Sequence, residues 1–146
     1  MRVLIQWVSQ ARVLVENQLR GEIGHGLVLL VGIHPGDDEN ALRFCAEKCA
    51  HLRIFVDEAG KMNRSVLDVG GSILAVSQFT LYGDCRKGRR PSFDKAAPPE
   101  QAANLCERFV QLLKELGLEV AQGVFGAHMM VEINNDGPVT LMVENP

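Results

Sequence analysis

Two short stretches of this chain place hydroxyls, amides and unusual backbone beside apolar runs, and chemistry is to be sought there. One is Ser77-Gln78-Phe79-Thr80-Leu81 and the other is Asn135-Asp136-Gly137-Pro138-Val139-Thr140. In the first, Ser77 or Thr80 is a nucleophile only if a base stands ready to take its proton. The four histidines, His25, His34, His51 and His128, fall in turns or at element edges and offer no Ser-His-Asp order. A second reading needs no reactive side chain, because a strand end can present backbone N–H groups to a substrate carbonyl and stabilise an oxyanion. The plain structural alternative is a strand end capped by its own hydroxyls.

The second stretch also has two readings. Asn-Asp-Gly-Pro is first a reversal signal, since proline fixes its own φ and restricts the residue before it. An X-Pro bond is also the one place where a cis peptide costs little, about 0.5–1 kcal/mol, so Gly137-Pro138 can aim its carbonyls in an unusual direction. A third feature is electrostatic: Arg86-Lys87-Gly88-Arg89-Arg90-Pro91 concentrates four cations in a chain whose net charge is -3. It is either a solvated loop or a phosphate-binding rim beside the site.

The elements that must hold these stretches are legible from periodicity. Val3, Ile5 and Trp7 alternate with their neighbours, and a second run, Arg12 to Val15, leads through Glu16-Asn17-Gln18 into Leu19 to Ile23, which reads as a hairpin. Leu27 to Ile33 is a continuous apolar run of strand length, covered on both faces. Asp37 or Asp38 caps a helix striped by Ala41, Leu42, Cys45, Ala46, Cys49 and Leu52. Short strands are expected at Arg53 to Val56 and, after Gly70-Gly71, at Ile73 to Leu81. Pro98-Pro99-Glu100 opens a second helix, striped by Ala102, Leu105, Cys106, Phe109, Leu112, Leu113 and Leu116 and ended by Gly117. Leu118 to Val124, Met129 to Ile133 and Val139 to Val143 supply the last strands. Helices interrupt runs of strands instead of alternating with them, which predicts an α+β domain.

With 146 residues and 47% apolar content, the chain has enough material for one core and too little for two, so residues 1–146 are read as a single domain. The negative balance argues against coating nucleic acid through overall charge and leaves room only for a local basic patch. Met1 to Gln6 leads straight into strand sequence, and no apolar run is long enough for a membrane span, so a cytoplasmic protein with no membrane partner is expected. Cys45, Cys49, Cys85 and Cys106 lack paired CxxC spacing; they read as free thiols, with no metal and no cofactor expected.

Ser77 to Leu81 together with Asn135 to Thr140 resembles the signature pair of the D-aminoacyl-tRNA deacylases. Gly60-Lys61-Met62-Asn63, Gly70-Gly71-Ser72 and Arg90-Pro91-Ser92-Phe93 match that family as well, so the resemblance spans essentially the whole chain. It implies mainly antiparallel, barrel-like sheets packed with two helices, and a homodimer that hydrolyses the ester between a D-amino acid and the 3′ end of tRNA. It further implies that Gly137-Pro138 is cis and crosses the dimer interface into the partner's pocket, where fixed carbonyls reject an L side chain. Glycine, without a side chain, would escape that rejection.

By the same resemblance Ser77, Gln78, Phe79 and Thr80 are the catalytic segment, with backbone N–H groups near Phe79 and Thr80 on the ester carbonyl. The terminal 2′-hydroxyl of the RNA helps activate water. Phe125, Met129, Asn135 and Thr140 are expected to bind substrate, and Arg86, Lys87, Arg89 and Arg90 to bind RNA; no DNA partner is expected. The family usually carries arginine where this chain has Trp7, and arginine and aspartate where it has Val124 and His128. A threonine-nucleophile hydrolase and a non-catalytic dimeric RNA-binding module remain the alternatives.

Overall fold

The computed structural model describes residues 1–146. Its spine is β1 (Arg2–Val15), which turns at Glu16-Asn17 into β2 (Gln18–Ile23) and is followed by β3 (Gly26–Gly32). Both turn residues have positive φ, 51° and 62°, as a tight two-residue hairpin requires. The chain continues through α1 (Glu39–His51), β4 (Phe55–Val56), β5 (Met62–Arg64), β6 (Ser72–Ser77), a 3-10 turn (Phe79–Tyr82), α2 (Pro99–Glu115), β7 (Val120–Gln122) and β8 (Met130–Glu144). The expected α+β domain with two helices is what is found. Its antiparallel β2-β1-β3 and β1-β8 pairings are joined to two parallel ones, β3-β6 and β6-β7.

β1 is long enough to pair β3 through Arg2–Val8 and β2 through Ala11–Val15, while β8 runs antiparallel along it from Arg2 to Leu14. At the far edge β2 returns to β7, where a Cβ on Gly21 would lie 2.5 Å from the Gln122 carbonyl oxygen. The sheet is thereby almost closed, through close approach and not a hydrogen-bonded ladder.

Two apolar clusters follow from strand alternation. Val3, Ile5, Leu27, Leu29, Val31, Ile73 and Ala75 point toward the helices, whose Leu42, Cys45, Cys49, Phe109 and Leu113 complete the larger core. Val8, Ala11, Val13, Ile23, Val28, Leu74 and Val76 fill the barrel interior. Strict alternation would put Ala11 and Val13 on the same face as Val3 and Ile5. The register against β8 slips between Val8 and Gln10, however, and the extra residue turns the second half of β1 over.

Three expectations need correction. The strand expected from Ile73 to Leu81 ends at Ser77, because its neighbour β3 is exhausted: the last pair is Val31 with Ser77, and Phe79–Tyr82 turn as a 3-10 segment. Arg53 to Val56 is extended only at Phe55–Val56, with Met62–Arg64 as the partner that periodicity did not reveal. Met129 to Ile133 and Val139 to Val143 are not two strands separated by a turn but one strand, since β1 offers an unbroken partner. Asp38 is the cap of α1, its side chain accepting from the Ala41 amide at 2.9 Å.

The tightest constraint in the sheet is at Gly26, where an added Cβ would lie 1.9 Å from the Ser72 carbonyl oxygen and 2.7 Å from its nitrogen. Gly26 and Ser72 are also the first pair of the parallel ladder. Gly26→Ala is therefore expected to push β3 and β6 apart at that end and lower unfolding stability by about 1–3 kcal/mol or more, read as a fall in the denaturation midpoint at unchanged m-value.

Candidate active site

Where β6 stops, Gln78 leaves the sheet with φ -143° and ψ 75°, and its amide makes a last bond to the Val31 carbonyl at 2.7 Å. The amides of Phe79 and Thr80 open the 3-10 turn, so neither has an acceptor inside it, and no side chain accepts from either. The Gln78 side-chain amide donates to the Thr80 hydroxyl, which orders the segment locally.

This strand end forms one wall of a cleft of about 670 Å³ lined by Ser77, Gln78, Phe79, Phe93, Phe125 and Met129, among others. The start of α2 and the loop between β7 and β8 make the other walls. Phe125 is 41% exposed and Phe79 52%, so both present ring surface to solvent. Met129 is half-buried and held from behind, with the Val124 amide 3.4 Å from its sulfur and Gly123 leaving no room for a Cβ, which would fall 2.7 Å from the same atom. Phe125 and Met129 are thus walls of the cleft, Met129 also packing on the barrel interior. A smaller void of about 60 Å³ lies behind Ser77 and is lined by Cys106; burial pushes that thiol up to about 11, and a hydrogen bond with Ser77 opposes the shift.

His128, which sequence reasoning left aside, lies in the cleft wall but hydrogen-bonds to neither Ser77 nor Thr80. The other histidines serve elsewhere. His25 packs edge-on against Phe55 at 5.3 Å, His34 accepts from the Gly36 amide at 3.0 Å, and His51 pairs with Glu47 at 3.3 Å. No histidine is therefore hydrogen-bonded to a hydroxyl of the cleft; the one carboxylate in its lining, Asp94, accepts from the Ser92 hydroxyl at 2.8 Å.

Asn135, Gly137, Pro138 and Thr140 do not line this cleft in the single chain. They belong to a wide bulge in β8, in which Asp136 to Val139 stand opposite the single residue Trp7 between the pairs Gln6–Thr140 and Val8–Asn135. The Gly137-Pro138 bond is cis. The Asn135 side-chain amide clamps the bulge, donating to the Trp7 carbonyl at 2.9 Å and the Val139 carbonyl at 3.1 Å, and the Thr140 hydroxyl accepts from Gln6 at 3.3 Å. Gly137 has φ 114°, and a Cβ there would sit 3.0 Å from Val139 and 3.2 Å from the Trp7 ring, so only glycine fits. Trp7 is the floor of the bulge, braced edge-to-face on Phe55 at 5.0 Å, and its indole N–H is buried without a partner.

The basic loop is less uniform than its sequence. An Asp84–Ser92 bridge closes its stem, with N···O distances of 2.8 and 2.9 Å. Arg86 folds back onto Asp84, Nε at 2.8 Å and Nη2 at 2.5 Å, and holds that carboxyl well below the usual range. Lys87, Arg89 and Arg90 are exposed and make no salt bridge. No three His, Cys, Asp or Glu side chains are grouped to hold a metal, and no helix is long and apolar enough to cross a membrane.

An almost closed sheet backed by two helices, with an apolar cleft at a strand end, defines the class of α+β domain to which this chain belongs. The chain belongs to the D-Tyr-tRNA(Tyr) deacylase family, whose pattern matches residues 4–144. It is 66% identical to the D-aminoacyl-tRNA deacylase of Heliobacterium modesticaldum over 99% of this chain and 96% of that protein. The solved structure of a c-Myc DNA unwinding element binding protein superposes with a TM-score of 0.94 at 40% identity, covering 100% of this chain and 99% of that one. A structure described as a probable eukaryotic D-amino acid tRNA deacylase shares the fold at a TM-score of 0.85 and 22% identity, over 99% and 98% of the two chains.

Because one side chain holds the bulge at both ends, Asn135→Ala is expected to lower stability by about 1–3 kcal/mol by leaving two carbonyls without their donor. Thermal or chemical unfolding measures it, and a change below a few tenths of a kcal/mol would show that the clamp is idle.

Proposed function

We propose that this protein hydrolyses the ester joining a D-amino acid to the 3′ end of tRNA and spares the L-aminoacyl ester, a cytoplasmic proofreading step in translation. The observation that carries this reading is the pair of amides at Phe79 and Thr80, left without an intrachain acceptor in a segment that walls an apolar-sided cleft where no histidine is hydrogen-bonded to a hydroxyl. Water adds to the ester carbonyl, and the oxygen that gains charge is held by those amides. The tetrahedral intermediate then expels the ribose 3′-oxygen, which takes up a proton, releasing free amino acid and tRNA. With neither Ser77 nor Thr80 hydrogen-bonded to a histidine, the neighbouring 2′-hydroxyl orients the water, which ties the reaction to RNA.

Chirality is assigned to Gly137 and Pro138 of a second copy of the chain. Two features support a homodimer. Gly137 and Pro138 lie away from their own cleft, and β8, hydrogen-bonded to β1 alone, leaves Met130 63%, Leu141 40% and Met142 45% exposed along a long edge. Such an edge invites pairing with an identical one, which a two-fold axis satisfies twice. The clamped bulge, seated on Trp7, then sets its carbonyls against one face of the substrate α-carbon, where a hydrogen fits and a side chain does not. Glycyl-tRNA carries hydrogen on both faces and is cleaved by the same logic.

Release of amino acid from D-tyrosyl-tRNA and L-tyrosyl-tRNA is the decisive measurement, with cleavage of the D form alone expected. Cleavage of neither would leave a binding module, the role to which the DNA-binding name of one structural relative also points. Thr80→Ala separates the backbone mechanism from a threonine nucleophile. Losing one neutral hydrogen bond should slow turnover less than about tenfold, whereas losing a nucleophile should cost about 10⁴-fold or more. Neutralising Arg89 and Arg90 together should reduce the slope of log affinity against log salt by about one to two while leaving D-over-L preference intact; an unchanged slope removes them from the RNA surface.

A further inference from the structure

The cleft has an aromatic feature at its mouth that the reaction just described does not use. Phe79 and Phe93 meet edge-to-face with ring centroids 5.2 Å apart and planes at 70°, and they remain 52% and 37% exposed. Both line the cleft, as do Phe125 and Met129. Two phenyl rings left in water at the rim of a cavity are a stacking surface that lacks its partner.

The surface is also held still. The Phe93 ring lies against the backbone of Gly83, close enough that a Cβ there would come 3.0 Å from the ring. On one side of Phe93 the chain is pinned by the Asp84–Ser92 bridge, and on the other the Ala96 amide bonds to the Phe93 carbonyl at 3.0 Å. A ring fixed in advance loses little freedom when a ligand lies on it.

Charge says what the ligand is. Lys87, Arg89 and Arg90 rise from the loop whose stem ends at Ser92, and two residues separate Arg90 from Phe93, at most about 11 Å of extended chain. Exposed aromatic faces interleaved with unpaired cations suit an unpaired nucleotide, whose base stacks while its phosphate is neutralised. An acidic peptide would satisfy the cations but supplies no flat face for the rings.

We propose that the Phe79–Phe93 pair is a stacking platform for the nucleobase that precedes the terminal one in the single-stranded 3′ end of an RNA ligand. The proposal rests on the reading that the cleft takes the terminal adenosine, and it adds a second nucleotide subsite outside the reacting centre. Stacking on a phenyl face tolerates any base, so the subsite recognises single-strandedness and not sequence.

Titration of the full-length protein with the uncharged RNA trinucleotide CCA, and with the same trinucleotide carrying an abasic middle residue, tests it. The unaltered protein should bind CCA about tenfold more tightly than the abasic form. Phe93→Ala should erase that difference while binding the abasic form as before, and Phe93→Tyr should restore it. Equal affinity for the two trinucleotides overturns the platform, as does an equal loss on both in Phe93→Ala, which marks a merely structural ring. Binding of neither trinucleotide also overturns it. If D-aminoacyl-tRNA is cleaved and the abasic penalty is missing, this inference fails alone; if the penalty is present and no ester is cleaved, the enzymatic reading fails and the platform stands.

Discussion

The parallel ladder between β3 and β6 runs from Gly26–Ser72 to Val31–Ser77 and has no further partner to offer. A strand that outlives its neighbour must satisfy its backbone elsewhere, and here the chain does so by turning. Gln78 makes the last bond to the sheet, and the following segment coils into a 3-10 turn whose first amides have no acceptor within the chain. The cleft wall is in this sense the unfinished end of the sheet. Its donors are fixed because the ladder behind them is buried on both sides, with Leu74 and Val76 in the barrel and Ile73 and Ala75 beneath the helices.

A second constraint acts between β1 and β8. β1 and β8 are paired over almost their whole length, yet four residues of β8 stand opposite one of β1. The surplus cannot be absorbed by the ladder and is expelled as a bulge carrying Gly137 and Pro138. What keeps it from collapsing is packing below and hydrogen bonding across: the Trp7 ring as floor and the Asn135 amide as clamp. Trp7 has its indole N–H buried without a partner. Its ring therefore supports the bulge by shape and van der Waals contact, and the hydrogen bonds across it come from Asn135 alone.

Much of this was legible in advance because local physics wrote it. Helix α1 carried its Asp38 cap and apolar stripe, and α2 had prolines at its start and Gly117 at its end. The run Leu27 to Ile33 was apolar on both faces because both faces are covered. Asn135 to Thr140 was harder. Gly-Pro after Asn-Asp signals a reversal in most contexts, and only a continuous partner strand converts that signal into a bulge. Phe93 was quoted only for its resemblance and His128 only as a departure, and neither has a pattern that announces a cavity wall. Arg86 looked equal to its neighbours until Asp84, two residues away, was seen to hold it.

By itself the sequence determined the two helices, the β1–β2 hairpin and the apolar β3 run, and which two stretches hold unusual backbone, because each depends on neighbours within a few positions. It determined the family in the same way, through short motifs whose identity survives whatever surrounds them. Only the tertiary structure decided where the β6 strand stops, that Asn135 clamps a bulge instead of facing the cleft, and that Phe79 meets Phe93 at the rim. Those outcomes depend on which distant strand runs out first and which ring finds a neighbour, and pairing between residues far apart in the chain leaves no periodic trace in either partner.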